Sequence, residues 1–318
     1  MDPRPTPIVP LLRQVPIATP QAGPATRHLA GTVVGVLAFA ACSGAWAQDA
    51  STAPRGEGAG ARSWLLEPRP SDPLRDMSTD RPDTTESPYT LDAGHFQVEL
   101  SLVDFVHDSR NSDGVKRRTL SFAPMLIKAG ILDNFDLQLG IDPLTRERQT
   151  DDATGVRTTT EGFGDLTLRG KVNLWGNDGG QTAFAIMPFI KFPTARGALG
   201  NGKVEGGLIL PLGVDLGHDL SLGLMQELDF VRVDGTDHHT IDWVHTVTLG
   251  FPIAGDLGGY VEYAGFANLN HAEEYRGYAN AGLTYALTPD VQLDAGTRVG
   301  LTRAADDLGL FLGISWRY

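Results

Sequence analysis

The chain has 318 residues, 41% hydrophobic and 20% charged, with 26 basic against 39 acidic side chains. A net charge of −13 argues against nucleic acid as a partner. The single cysteine, Cys42, leaves no pair for an internal disulfide.

Leu29 to Ala41 is an apolar run of thirteen, preceded by Arg27 and His28 and followed by Ala45-Trp46-Ala47. These are the parts of a secretory signal, with cleavage expected between Ala47 and Gln48. The Pro-rich Met1 to Thr26 exceeds what a signal needs and points to a start further downstream. An alternative, cleavage before Cys42 with acylation, has Phe39 as a poor residue three before the cysteine. The run is too short for a spanning helix, which needs about 20 apolar residues, so membrane crossing would fall to strands. Removing residues 1–47 leaves 23 basic against 38 acidic side chains, since Arg4, Arg13, Arg27 and Asp2 go with them.

Residues 48–93 are rich in Pro, Gly, Ser, Asp and Arg and read as a flexible periplasmic segment. From Gly94 to Tyr318 the texture becomes β-rich and alternating, broken by Gly, Asn, Asp and Pro clusters. In chain order the expected strands are 94–108, 115–129, 135–149, 163–176, 182–194 and 202–216, then 220–233, 239–253, 257–270, 276–288, 291–302 and 308–318. Twelve antiparallel strands in a single up-and-down barrel spanning residues 94–318 is the expected fold. Every second connection is short: Gly130 to Asn134, Asn177 to Gln181, Gly217 to Asp219, Ala254 to Asp256, and Pro289-Asp290. The others tend to be longer and more polar, notably Thr150 to Gly162 and Ala195 to Asn201, the asymmetry of outer-membrane barrels.

Strand faces support this. Leu293, Val299 and Leu301 alternate with Asp294 and Arg298, and Leu137 and Leu139 with Asp136 and Gln138. Leu166 and Leu168 alternate with Asp165, Thr167 and Arg169. Such alternation also suits a soluble sandwich. Trp175, Trp243, Phe251, Tyr260, Tyr278, Tyr285 and Trp316 near strand ends suit a membrane interface. The last strand puts Leu308, Leu310, Leu312, Ile314, Trp316 and Tyr318 on one face and ends on an aromatic, like the sorting signal read by the barrel-assembly machinery. Gln226 and His245 misfit the lipid face, and the first strand changes phase near Leu102-Val103; a bulge or a wrong boundary would explain each.

Thr79-Asp80-Arg81-Pro82-Asp83, then Ser87-Pro88 and Gly94-His95-Phe96-Gln97-Val98-Glu99, resemble the bacterial MetA-pathway of phenol degradation family. Gly162-Phe163-Gly164-Asp165-Leu166 and Pro188-Phe189-Ile190-Lys191-Phe192-Pro193-Thr194 agree. The resemblance spans residues 79–318 and implies an outer-membrane barrel, linked in some members to aromatic catabolism. Physically, Arg81 could pair with Asp80 or Asp83, anchor the segment into an acidic lumen, or simply flank a turn set by Pro82.

Transport needs a polar-lined path rather than a nucleophile. The lumen candidates are Glu99, Asp136, Asp142, Asp165, Arg169, Lys171, Lys191, Glu205, Glu227, Asp229, Glu262, Asp294 and Arg298. Structural satisfaction inside the barrel is the plain alternative for each. Twelve strands leave a narrower lumen than a 16-stranded porin, favouring a constricted or lateral route. His107 and Ser109 have the i, i+2 spacing of a lipid deacylase, but Arg110 follows where that motif expects Asn. His238-His239 with Asp234, Asp237 and Asp242 lacks a metal-ligand spacing. No catalytic residue, metal or cofactor is expected. The expected function is passage of small, aromatic or hydrophobic molecules across the outer membrane, with its lipids and the cargo as partners. A lipid hydrolase, and a closed barrel presenting Thr150 to Gly162 outward, are the alternatives.

Overall fold

The structure, a computed structural model, describes residues 63–70, 74–109, 114–195, 199–232, 238–269 and 275–318. The chain divides into two units, residues 1–20 with 62–318, and 21–61; every described residue belongs to the first. The expected cleavage site at Ala47 and Gln48, and Cys42, lie outside the described residues.

Fifteen strands follow in order: β1 (Phe96–Asp108), β2 (Val115–Phe122), β3 (Met125–Leu132), β4 (Phe135–Ile141), β5 (Leu144–Asp151), β6 (Arg157–Gly162), β7 (Leu166–Trp175) and β8 (Thr182–Phe192). Then come β9 (Glu205–Gly217), β10 (Leu220–Arg232), β11 (His239–Ala254), β12 (Leu257–Asn268), β13 (Arg276–Thr288), β14 (Val291–Gly300) and β15 (Leu308–Arg317). All pairings are antiparallel, and β15 pairs with β1 from Gln97↔Arg317 to His107↔Leu308, closing the cylinder.

Two of the twelve expected strands, 115–129 and 135–149, are each broken in two, and the one expected over 163–176 gains β6 ahead of a third break, which is why fifteen segments make a barrel of twelve strands. Between β2 and β3 stand Ala123, with φ 55°, and Pro124. Proline has no N–H to give to a ladder, and its carbonyl accepts from Ser101 N–H at 2.9 Å. Asp142-Pro143 separates β4 from β5, and Phe163-Gly164-Asp165 separates β6 from β7, Gly164 N–H donating to the Asp142 carbonyl at 2.9 Å. The expected phase change in the first strand is a register shift between Ser101 and Val103 at the same level. The breaks form a crease across adjacent strands.

The faces resolve the choice between sandwich and membrane barrel. Asp294, Asp136, Thr167, Lys171 and Glu227 point inward and are nearly inaccessible, whereas Leu137, Leu168, Ile190, Leu228, Phe230, Val247, Val261, Leu283, Leu293, Leu310 and Leu312 point outward, 36–50% exposed. Left so exposed in water, each such side chain would forgo about half of the roughly 1.5–3 kcal/mol that full burial contributes. Together that is comparable to the whole stability of a typical domain, about 5–15 kcal/mol, so this face meets hydrocarbon.

The aromatic expectation holds in part. Trp175 and Tyr285 are exposed near strand ends, Trp175 stacking on Phe184 at 4.9 Å. Tyr260 and Tyr278 instead turn inward, 5% and 3% exposed, because they share strand parity with Glu262 and Asn280. Gln226 and His245 do face outward, opposite one another across β10 and β11. Neighbouring rings bond to both: Trp243 Nε1–H donates to Gln226 Oε1 at 2.8 Å, and His245 Nε2 bonds the Tyr275 hydroxyl at 2.8 Å.

Both barrel termini lie at the end with short turns, including His218-Asp219, whose φ values of 57° and 60° suit a tight hairpin. The long connection expected over Thr150 to Gly162 is instead mostly a hairpin, β5 continuing to Asp151 and β6 starting at Arg157. Its threonines, Thr158, Thr159 and Thr160, are β-branched and favour strand over loop.

Candidate functional site: a lumen filled by the N-terminal segment

The inward positions of the strands carry the charged candidates read from the sequence, except Asp142 and Asp165, which stand in the breaks between strands. Glu99, Asp136, Asp142, Asp165, Arg169, Lys171, Lys191, Glu227, Glu262 and Asp294 are buried, while Glu205, Asp229 and Arg298 are half-buried. They do not line an open pore. Residues 74–95 pass through the lumen and bond to Glu99, Asp136, Arg169, Lys171, Glu262 and Asp294.

Over residues 74–93 this departs from the flexible segment expected for 48–93. Polar composition starves a segment of a core in water, but the inside of a membrane barrel is itself polar, so here polar side chains form the core. Asp80 shows how. Its carboxylate meets Lys171 Nζ at 2.6 Å and Lys128 Nζ at 2.7 Å, with Arg169 at 3.7 Å. Its backbone N–H donates to both Glu99 oxygens, at 3.1 and 3.0 Å, and Lys128 also pairs with Glu99. Burial pushes the Asp80 carboxyl up, but Lys128, Lys171 and Arg169 outweigh it and hold the group below the ordinary carboxylate range.

Arg81 turns away from its neighbouring acids and reaches across to β14, its Nη2 2.6 Å from Asp294 Oδ1, with a further bond to the Ser101 hydroxyl. Its guanidinium lies 5.7 Å from the Phe311 ring centroid. A Cβ on Gly313 would stand 2.3 Å from Arg81 Nη2, so the bare backbone of β15 makes room for this arm. The Arg81–Pro82 peptide is cis. Of the readings open for Arg81, anchorage into the lumen is the one found.

Further along, Glu262 accepts from the Thr84 and Thr85 backbone N–H groups at 2.9 and 2.8 Å, and from Asn280 Nδ2 at 2.5 Å. Burial and the Glu262 carboxylate raise the Asp83 carboxyl well above its ordinary value. Glu86 takes a bidentate bond from Arg169, at 2.9 and 2.6 Å. Leu91 N–H donates to Asp136 at 3.0 Å, and Asn173 Nδ2 to the Pro88 carbonyl at 2.9 Å.

One stretch of inner wall is apolar. Met187, Ile209, Met225, Val244, Ala264, Phe266 and Tyr278 cluster across β8 to β13, and Ala305 of the β14–β15 connection packs on them. The segment touches this cluster where Glu86 N–H points at Met225 Sδ, 3.4 Å away. Towards the far end, Leu199 and Asp306 from connecting segments are also buried. Burial and the nearby Asp108 carboxylate push the Asp306 carboxyl up to about 7. Lys191 ties Asp165 at 3.0 Å to Glu205 at 2.7 Å. A cavity of about 20 Å³ lies inside the crease, lined by Arg81, Ser101, Pro124, Asp142 and Asp165 among others, room for about one water molecule.

The His107-Ser109 pair is not joined as a deacylase would require. The Ser109 hydroxyl donates to Asp307 Oδ2 at 2.6 Å, and among the described residues His107 Nδ1 has no hydrogen-bond partner. Of the His238 group, Asp234 and Asp237 lie outside the described residues.

Sequence reading missed Lys128, which bridges Asp80 and Glu99, and Glu86, the bidentate partner of Arg169. Lys128 had a legible signal, a lone cation within Met125-Leu126-Ile127-Lys128-Ala129. Glu86 had none, since its role depends on a segment that carries no strand pattern.

No curated protein matches the chain. The fold is similar to the COG4313 outer membrane channel from Pseudomonas putida F1, at TM-score 0.56 and 13% identity, covering 76% of this chain and 100% of that one. It is also similar to the translocator domain of the autotransporter NalP from Neisseria meningitidis, at TM-score 0.46 and 12% identity, over 70% of this chain and 88% of that one. With an apolar outer belt, a polar interior and closed antiparallel strands, the protein is a barrel of the bacterial outer membrane. The model of the family described as "Putative MetA-pathway of phenol degradation" matches residues 79–318, from the first residue of the lumenal Thr79 to Asp83 motif to the end of the chain, and the protein belongs to that family.

Proposed function

We propose that the barrel is an outer-membrane channel for small aromatic or otherwise apolar molecules. The observation that carries this is the apolar stretch of inner wall, Met187, Ile209, Met225, Val244 and Phe266, in a lumen whose other walls are charged. A lumen serving only as a rigid support gains nothing from an apolar stripe in contact with the segment that fills it. The described conformation is shut, because segment 74–95 occupies the lumen and the crease cavity is only about 20 Å³. Passage therefore requires the segment to shift along that wall. We read the protein as non-enzymatic, the Ser109 hydroxyl being committed to Asp307. The family's link to phenol breakdown and the channel named from Pseudomonas putida agree with this reading.

The test is entry of a monoaromatic hydrocarbon into lipopolysaccharide-containing vesicles carrying the full-length folded barrel, beside single-channel recording. Faster entry than in protein-free vesicles, slowed by Met225→Asp, is the expected result. A folded barrel that neither accelerates entry nor conducts would overturn the reading.

A further inference from the structure

On one sector of the barrel the outward belt gives way to cations. Above the crease, on the end away from the chain termini, the outward positions of β2 run Phe122, Leu120, Arg118, Lys116, and those of β5 run Leu144, Arg146, Arg148. Arg157 of β6 continues the row. Cross-strand register sets Arg118 directly between His107 and Arg148, and Arg146 between Leu120 and Glu161. Near the same end of other strands the outward residues are apolar, such as Phe192, Phe230 and Leu310.

Internal pairing does not account for this patch. Among the described residues two acids answer five cations: Lys116 meets Asp152 at 2.9 Å and Arg146 meets Glu161 at 3.7 Å, all four side chains being 44% or more exposed. Among the described residues Arg118, Arg148 and Arg157 make no ion pair, and all three are exposed. Like charges directly opposite one another destabilise a sheet, and this chain is acidic overall at −13. Arginine facing arginine on the outer wall calls for an anion from outside.

The position names the anion. Short turns and both barrel termini mark the periplasmic end, so the patch stands at head-group height in the outer leaflet, with Phe122 and Leu144, 42% and 41% exposed, below it at acyl level. That leaflet is built from a phosphorylated glucosamine lipid. Guanidinium groups grip phosphate bidentately, and basic clusters at a membrane surface hold anionic head groups. We propose that Arg118, Arg148, Arg146 and Arg157 form a docking site for the phosphates of an outer-leaflet glycolipid. The inference rests on the outer-membrane placement and not on the passage of cargo.

The full-length folded protein in detergent is titrated with bisphosphorylated lipid A and with the same lipid dephosphorylated, with unboiled gel mobility as the folding control. The phosphorylated lipid should bind roughly tenfold tighter, and R118Q/R148Q should erase the difference while keeping the folded mobility. Millimolar inorganic phosphate should not displace the lipid. Equal affinity for the two lipids, undiminished binding by the variant, or full displacement by inorganic phosphate would each overturn the proposal. Should R118Q/R148Q fail to fold, R146Q/R157Q and the two-lipid comparison on the unaltered protein decide it. No flux is measured, so failure here leaves the channel reading standing.

Discussion

The Asp80 carboxylate lies 2.6 Å from Lys171 Nζ, with both side chains at 0% exposure. The pair joins the N-terminal segment to β7, and Lys128 and Glu99 extend it to β3 and β1. Removing one member of such a group strands its partners, at a cost of about 3–5 kcal/mol. Asp80→Asn should therefore release segment 74–95 while the strands stay paired. Limited proteolysis of the folded barrel should then cut within residues 74–95 much faster than in the parent protein, with the heat-dependent gel shift retained. An unchanged cutting rate would mean that the ion pairs contribute little to docking.

The Asp306 carboxyl at the barrel mouth gives a pH dependence. Its value is raised from 3.8 to about 7 by burial and then by Asp108, against Arg276 and Arg298. A carboxyl raised on folding leaves the tucked connection most stable below pH 3.8, and that stability is lost as pH rises through about 7. Hydrogen exchange at residues 301–307 should accelerate between pH 5 and pH 8 beyond the intrinsic rate change. Asp306→Asn should remove that excess.

Glycines of the inner wall separate by what lies over them. A Cβ at Gly130 would fall 2.0 Å from the Asp92 carbonyl oxygen, which is backbone, whereas one at Gly313 meets the movable end of Arg81. Gly130→Ala should thus destabilise more than Gly313→Ala, by at least about 1–3 kcal/mol as overpacking does. The temperature of the unboiled-to-boiled mobility change measures both. The reverse order would show that Arg81 is held more rigidly than the backbone at Asp92.

On the outer belt, Leu312→Arg places a charge against hydrocarbon at a site 46% exposed. A cost of about 2–4 kcal/mol is expected at the membrane midplane, falling toward the interface. Denaturant titration of folding into lipid vesicles checks this, with Thr158→Arg in the exposed β5–β6 hairpin as a near-neutral comparison.

Most of the wall was legible because one physical rule governs it. Period-two alternation set Leu293 and Val299 outward and Asp294 inward, and β13 runs 276–288 as expected. The crease was visible only as Pro124, Pro143 and the Ser101-Val103 phase change, which mark missing donors without showing that they align. Tyr260 and Tyr278 misled because closeness to a strand end was weighed above parity. The site was half-legible: its wall charges follow the same alternation, but their partners Asp80, Glu86 and Thr85 come from a segment with no periodicity. Its composition reads as disorder in water and as a core only inside a polar cylinder.

The seam between β1 and β15 joins the first strand of the chain to the last. Residues 74–95 run directly into β1, with Phe96 already bonded to Tyr318 through the backbone. The lumen's filling thus precedes every strand in order of synthesis, while the final wall piece arrives last. Insertion becomes a problem of sequence in time: the interior must be in place, or able to thread, before the two ends of the sheet meet and seal it in.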